Sequence, residues 1–209
     1  MIKRLFSFYS LPLMMLVRPI NGFYEMKFEK RGTLRLALLN FVLTGIAFAF
    51  MNQYTSILIT ERHPLALNSW SDFQYMAMAV VLFCVSNWAV TSLTDGEGKL
   101  KEIFMTVCYA MTPLVILLIP ATLFSNILTG PEAAFYHLIV SLAVIWFVLL
   151  LFIGLIVVHN YTVTKAIGTA VLTFVSLLVI LFLITLFFTL IQQLYTFINS
   201  IYRELSFRA

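Results

Sequence analysis

The stretch AIGTAVLTFVSLLVILFLITLFFTLIQQLYTFINSIY, residues 166–202, decides the fold of this 209-residue chain. It holds 37 residues without an aspartate, glutamate, lysine or arginine. One helix across the hydrocarbon core of a bilayer needs roughly 20 apolar residues, and two helices with a turn need more than about 40. No glycine or proline follows Gly168. We therefore predict one long helix that leaves the bilayer near Gln192-Gln193 and continues along the interface.

Four further runs carry no charged residue. They hold 25, 22, 29 and 32 residues, at 36–60, 73–94, 103–131 and 133–164. Each is long enough to cross a bilayer, and none alternates as a barrel strand would. Since backbone polar groups need internal partners in lipid, we expect helices throughout. The predicted fold is an all-α polytopic membrane protein with five transmembrane helices, at about 34–59, 70–93, 103–128, 135–158 and 166–191.

The overall composition agrees with this reading. Hydrophobic residues make up 62% of the chain and charged residues 11%, against about 45–50% and 25% in soluble domains. No stretch outside the spans reaches the roughly 50 residues of a folded domain. The predicted organisation is a cytoplasmic or interfacial segment 1–33, a transmembrane domain 34–191 and an interfacial tail 192–209.

Basic residues predict the orientation. If the spans alternate, ten of the thirteen lysines and arginines lie on the side of the N-terminus. Because cytoplasmic loops carry the Lys/Arg excess, we predict a cytoplasmic N-terminus and an external C-terminus, in the cell membrane or, in a eukaryote, an endomembrane. Two N-terminal segments, around Ile2–Tyr9 and Tyr24–Glu29, are predicted to be interfacial helices that favour anionic lipids.

The loop Thr94-Asp95-Gly96-Glu97-Gly98-Lys99 is the most distinctive polar stretch. Gly96 and Gly98 permit backbone angles closed to other residues, which favours a tight reversal. Thr94 and Glu97 have capping-box spacing for the start of the next helix. Asp95 and Glu97 are candidates to bind a cation or a basic partner, but a turn with a helix cap is the favoured interpretation.

The loop His159-Asn160-Tyr161-Thr162-Val163-Thr164-Lys165 gathers further polar groups on the same predicted side. A histidine there can titrate near neutral pH. No carboxylate lies close to it in sequence, so we favour a histidine satisfied by water or backbone. We keep His159, Asn160, Tyr161 and Lys165 as partner-contact candidates.

Span three contains Pro113 and Pro120, which predict a bent helix. A bent helix can line a cavity, but packing is the favoured reading. After it, Thr129 and Glu132 have capping-box spacing with Pro131 in the first turn, which predicts the start of span four.

No charged residue lies well inside a span, although such groups mark ion pathways, and no catalytic or metal-ligand motif is visible. We therefore predict a non-enzymatic protein without metal or cofactor, in which Asn40, Asn87 and other amides pair the helices.

Several short motifs in this order resemble the Yip family of five-span membrane proteins. They are Arg18-Pro19, the loop glycines Gly96 and Gly98, Tyr109-Ala110-Met111-Thr112-Pro113, and Trp146 through Gly154. The resemblance runs from about Arg18 to Gln192. It implies a cytoplasmic N-terminus and five spans. Eukaryotic members bind small GTPases through a longer N-terminal region, whereas only about 33 residues precede span one here and no Asp-Leu-x-Gly-Pro segment occurs, so we do not expect a GTPase partner.

The shortness of the chain resembles bacterial members, which accompany carbohydrate import systems. We expect an accessory or scaffolding subunit that contacts membrane lipids and other integral membrane proteins, such as transporter permease subunits. The net charge of +4 is a topology signal, and no nucleic-acid partner is expected. The alternatives are a small-solute transporter or channel, and a membrane-shaping or trafficking factor that uses its N-terminal helix.

Overall fold

A computed structural model describes residues 11–59 and 68–208, with side chains to residue 204. Most of these residues are helical, and none of them lies in a strand. Residues 11–17 are helical and precede seven further α-helices. These are α1 Pro19–Lys27, α2 Leu34–Tyr54, α3 Ser69–Leu93, α4 Leu100–Ala110, α5 Thr112–Ser125, α6 Ala133–His159 and α7 Val163–Arg208, with a 3₁₀ turn Gly130–Glu132 before α6.

Five helical stretches are long and apolar enough to cross a membrane, which confirms the predicted number of spans. Span one is α2, span two is α3, span three joins α4 and α5, and α6 and α7 are spans four and five. Span three is central, because α4 and α5 pack against α2 and α6, and α4 also packs against α3. In an apolar 18-residue stretch of this span, 67% of the residues are buried.

Capping residues place the ends of several spans. The Thr33 hydroxyl accepts the Leu36 N–H at the start of α2, and the Asn68 side chain accepts two N–H groups at the start of α3. The predicted pair Thr129 and Glu132 is confirmed, since the Glu132 carboxylate accepts from both the N–H and the hydroxyl of Thr129.

The capping pair predicted at Thr94 and Glu97 is wrong. Thr94 follows the last residue of α3, where its hydroxyl donates to the Val90 carbonyl. Helix α4 begins later, and the Glu102 carboxylate accepts the Lys99 N–H there. A hydroxyl can back-bond to its own helix as easily as it can cap the next one, so sequence spacing alone does not distinguish the two.

The segment around Tyr24–Glu29 is helical as predicted, up to Lys27. Pro19 stands in the first turn of α1, where its missing N–H leaves no hydrogen bond unmade. Phe23 and Met26 are buried as α1 packs against α6. The helix predicted around Ile2–Tyr9 lies outside the described residues.

The predicted bend of span three is a break at Met111, between α4 and α5. Pro113 has no N–H for the carbonyl of Tyr109, four residues earlier, and the Thr112 hydroxyl donates to that carbonyl instead at 2.6 Å. The Asn40 amide of α2 donates to the neighbouring Cys108 carbonyl at 2.5 Å and to the Thr112 hydroxyl at 3.2 Å. Neighbouring side chains therefore satisfy the backbone at the break. Helix α5 continues through Pro120.

Helix α7 confirms the prediction of one long helix. Its 46 residues correspond to about 69 Å at 1.5 Å per residue, more than twice the roughly 30 Å of a hydrocarbon core. It packs mainly on α3, near its start, where Ala166, Thr169 and Thr173 are buried. An apolar 18-residue stretch of this span contains no buried residue.

Hydrogen bonds at both ends of the bundle fit alternating spans. At one end, the Asn126 amide donates to the Tyr54 carbonyl, and the Thr55 and Tyr136 hydroxyls lie 3.2 Å apart. At the other end, which we call the basic end, Lys27, the loop 94–99 and the loop 160–162 meet. The basic end is the predicted cytoplasmic side, and the N-in orientation itself stays a prediction.

We expect Asn40→Leu to destabilise the protein by about 1–3 kcal/mol, because it leaves the buried Cys108 carbonyl without its amide partner. Thermal unfolding in detergent measures the change. Asn199→Leu, the same substitution at an exposed position of α7, is the matched control and should leave the midpoint nearly unchanged. Equal midpoints for the two variants would contradict this account of the break.

Candidate functional site

A buried histidine lies at the centre of the basic end. His159, the last residue of α6, is 2% exposed. Its Nδ1 accepts the Gly98 N–H at 3.3 Å, and its Nε2 lies 3.1 Å from the Asn87 side-chain oxygen. A nitrogen that accepts an N–H carries no proton, so Nε2 holds the proton and donates to Asn87. The histidine is thus satisfied by backbone, as the favoured reading expected, and by one amide that the sequence did not connect with it.

The hydrogen bonds continue from His159 to α7. The Asn87 amide donates to the Thr173 hydroxyl at 3.2 Å, and this hydroxyl donates to the Thr169 carbonyl at 2.7 Å. All these groups are buried. One polar chain therefore joins α6, α3 and α7, and the prediction that Asn87 pairs helices is confirmed.

The two loop glycines are required by close packing. A Cβ on Gly98 would lie 2.6 Å from His159 Cε1, and one on Gly96 would lie 2.7 Å from His159 Nδ1. The expectation that the glycines supply unusual backbone angles is wrong, because neither has positive φ. Asp95 takes the left-handed conformation instead, with φ 54°. The loop therefore carries glycine at positions 96 and 98 because the His159 ring packs against its backbone.

Tyr161 covers the other side of this ring. The His159 and Tyr161 rings stack with centroids 5.3 Å apart. The Tyr161 hydroxyl lies 2.9 Å from the Thr94 hydroxyl and 3.2 Å from the Thr94 carbonyl. Above the Tyr161 ring, the Lys165 ammonium lies 4.7 Å from the centroid, within cation–π range. The fourth loop is thereby fixed against the end of α3.

A lysine of α1 completes the cluster. Lys27 Nζ donates to the Val158 carbonyl at 2.7 Å and to the Glu97 carboxylate at 3.2 Å. A cation is favourable at the C-terminus of α6 because the helix dipole is negative there. The Asn160 amide lies 3.5 Å from the second Glu97 oxygen. Hydrogen bonds from Lys27 and Asn160, with the Lys27 charge, hold the pKa of the exposed Glu97 carboxyl below its ordinary value.

The structure therefore brings together six of the twelve residues singled out from the sequence. They are Gly96, Glu97, Gly98, His159, Asn160 and Tyr161, with Lys165 adjoining. Lys27, Asn87 and Thr94 join them. The hydrogen bond from Lys27 to the Val158 carbonyl spans 131 residues, and no local sequence pattern signals this meeting.

The other predicted residues take no part in these contacts. Asp95 is exposed at the turn, and Arg18 is exposed just before α1. Tyr109 is fully buried, and its hydroxyl donates to the Thr33 carbonyl at 2.9 Å, which ties span three to the start of α2. Pro113 is buried at the break of span three.

The cluster is suited to holding two loops in a fixed arrangement. Both nitrogens of His159 are engaged, and the described residues contain no group of three histidine, cysteine or acidic side chains placed to hold a metal ion. The exposed groups around it are Glu97, Asp95 and Lys165. Together they form a charged surface on a rigid base.

The comparisons with known proteins give one match. The family model described as the Yip1 domain matches residues 13–202. No curated protein and no solved structure matches the chain.

We expect Gly98→Ala to destabilise the protein by about 1–3 kcal/mol, because the new methyl group overlaps the His159 ring. Gly168→Ala is the control, since nothing lies within 4 Å of its Cβ position, and it should gain about 0.5–1 kcal/mol inside a helix. Thermal unfolding of each variant, repeated in a His159→Ala background, measures both effects. Val158 Cγ1 also lies 2.9 Å from this Cβ position, so part of the penalty should remain in that background. A Gly98→Ala penalty of unchanged size without the histidine ring would refute the packing explanation.

Glu97 should contribute to stability in a pH-dependent way. Because its folded-state pKa is lowered, the contribution is present above the ordinary pKa of glutamate and is lost as pH falls through the lowered value. The difference in unfolding midpoint between the wild-type protein and Glu97→Gln should therefore shrink in acid. Asp95→Asn, which changes the neighbouring carboxylate, should leave the wild-type pH profile in place. A difference independent of pH would argue against the ion pair with Lys27.

Proposed function

The chain belongs to the Yip1 domain family, and from that premise we propose that it is a non-enzymatic scaffold or accessory subunit of the cell membrane. It acts through helix–helix and loop contacts with other integral membrane proteins, such as the permease subunits of a carbohydrate uptake transporter. The observation that carries the proposal is the exposure of α7, the longest and least covered helix of the bundle.

Helix α7 combines an apolar surface with a line of polar side chains. Six of its residues form an open groove of about 480 Å³ along one side: Thr189, Gln192, Gln193, Thr196, Phe197 and Ser200. The Gln192 and Gln193 amides are exposed and bond no described residue. Gln192 and Gln193 stand where we predict that the helix leaves the bilayer, and amide side chains there can hydrogen-bond to a neighbouring helix. This line of groups therefore supports association with another helix.

The basic end supports the same role. The hydrogen bonds of His159 and Lys27 hold the two loops in place. Binding to a preorganised surface loses less conformational entropy than binding to a mobile loop. The exposed charges of Glu97 and Lys165 are thus available to a partner at fixed positions.

The break in span three lends little support to a channel. The carbonyls at the break are paired with Thr112 and Asn40 side chains. Pro113 lines an open groove together with Leu16 and Trp146, but its walls are almost entirely apolar. An ion or sugar pathway needs polar groups that replace hydration. The membrane-shaping alternative depends on the N-terminal helix predicted around Ile2–Tyr9, which lies outside the described residues.

Affinity purification from native membranes in a mild detergent tests the proposal. We expect a stoichiometric membrane partner, and its loss in the double variant Gln192→Leu, Gln193→Leu, which keeps the helix but removes the amides. Gln74→Leu, at an exposed position of α3, is the matched control and should retain the partner. Recovery of the protein alone in several detergents would contradict a scaffolding role.

A further inference from the structure

An apolar groove opens between α2, α3 and α4, on the outside of the bundle. Its volume is about 330 Å³, within the usual range of ligand sites. Its walls include Leu34 of α2, Val81 and Val85 of α3, and Leu100, Lys101 and Phe104 of α4. Below we call it the Lys101 groove.

The groove runs from the membrane interface into the hydrocarbon level. Lys101 stands in the first turn of α4, and Leu34 begins α2, both at the basic end of their helices. Val81 lies twelve residues before the last residue of α3, which is about 18 Å along the helix. Val81 and Val85 are 56% and 38% exposed. The groove is therefore open to the surrounding lipid along its length.

Positive charge stands at its mouth and is not neutralised by the described residues. Lys101 is exposed and forms no hydrogen bond or ion pair with any of them. Arg35 follows Leu34 in the sequence but does not line the groove; it is likewise exposed and unpaired within the described ranges. The neighbouring carboxylate, Glu102, accepts the Lys99 N–H. A cationic mouth above an apolar wall complements a molecule with an anionic head and a hydrocarbon chain.

We propose that the Lys101 groove binds an anionic glycerophospholipid from the leaflet at the basic end. One acyl chain lies against Val81, Val85 and Phe104, and the phosphate pairs with the Lys101 ammonium. Charge-assisted hydrogen bonds to phosphate are about twice as strong as neutral ones. Phosphatidylcholine carries a phosphate as well, but the Lys101 ammonium repels its choline cation. A head group with a net negative charge is therefore favoured, while the groove holds the chain.

Native mass spectrometry of the purified full-length protein tests this site. Dioleoyl phosphatidylglycerol and dioleoyl phosphatidylcholine are the two probes, since they share acyl chains and differ in charge. We expect one phosphatidylglycerol to be retained in preference to phosphatidylcholine. Lys101→Gln should reduce that retention about tenfold, the effect of losing one charge-assisted bond. Lys99 is an exposed lysine two residues away that does not line the groove. The substitution Lys99→Gln is therefore the matched control and should leave lipid retention unchanged.

A second variant tests the groove rather than the charge. Val85→Trp fills the space and should abolish retention of both lipids, with the unfolding midpoint as a check that the protein is folded. Should it not fold, Val81→Phe serves the same purpose with a smaller side chain. Equal retention of the two lipids, equal effects of Lys99→Gln and Lys101→Gln, or retention unaffected by filling the groove would each overturn the proposal. So would a co-purifying protein, instead of lipid, displaced by Val85→Trp.

This inference is independent of the scaffolding proposal. The experiment uses the purified chain and two defined lipids, and it requires no protein partner. Recovery of the protein alone in the affinity purification would contradict the scaffold and not the lipid site. Equal retention of the two lipids would contradict the lipid site and not the scaffold.

Discussion

A bilayer core offers no water to backbone N–H and C=O groups, and the rest of this structure depends on that constraint. Each unsatisfied group costs several kcal/mol, so the chain crosses as helices. The helix of span three is interrupted at Met111. There the Thr112 hydroxyl and the Asn40 amide donate hydrogen bonds to carbonyls that the break would otherwise leave unsatisfied. The break is possible because a second helix supplies an amide at that depth.

The same requirement organises the basic end. Here α6 ends with a buried histidine. The Gly98 N–H and the Asn87 amide oxygen hydrogen-bond to the two ring nitrogens of His159, and the Lys27 ammonium donates to the Val158 carbonyl at the helix end. A fully satisfied polar network is rigid, since removing any member leaves a buried group unpaired. Two loops distant in sequence thereby form one charged surface. Helix α7 is joined to this network through Thr173, while its later turns stay uncovered.

Sequence patterns predicted the elements whose causes are local. Charge-free runs gave the five spans, the spacing of Thr129 and Glu132 gave a helix start, and Pro113 gave the bend of span three. The Thr94–Glu97 spacing failed, because a threonine hydroxyl can bond backward into its own helix as well as forward. The loop glycines are required for a reason other than the predicted backbone angles. Their role is to leave room for the ring of His159, which lies 61 residues after Gly98, and no local pattern contains that contact.

The sequence by itself determined that this is a five-helix membrane protein, because hydrophobic length and the placement of charge are properties of the chain alone. Only the tertiary structure decided which polar residues meet. Lys27, Asn87 and His159 lie on three different helices, and their contacts arise from the packing of those helices. The Lys101 groove is likewise a space between three elements, so it has no counterpart in the sequence of any one of them. Local sequence determines the spans, and contacts between residues far apart in the sequence determine the sites.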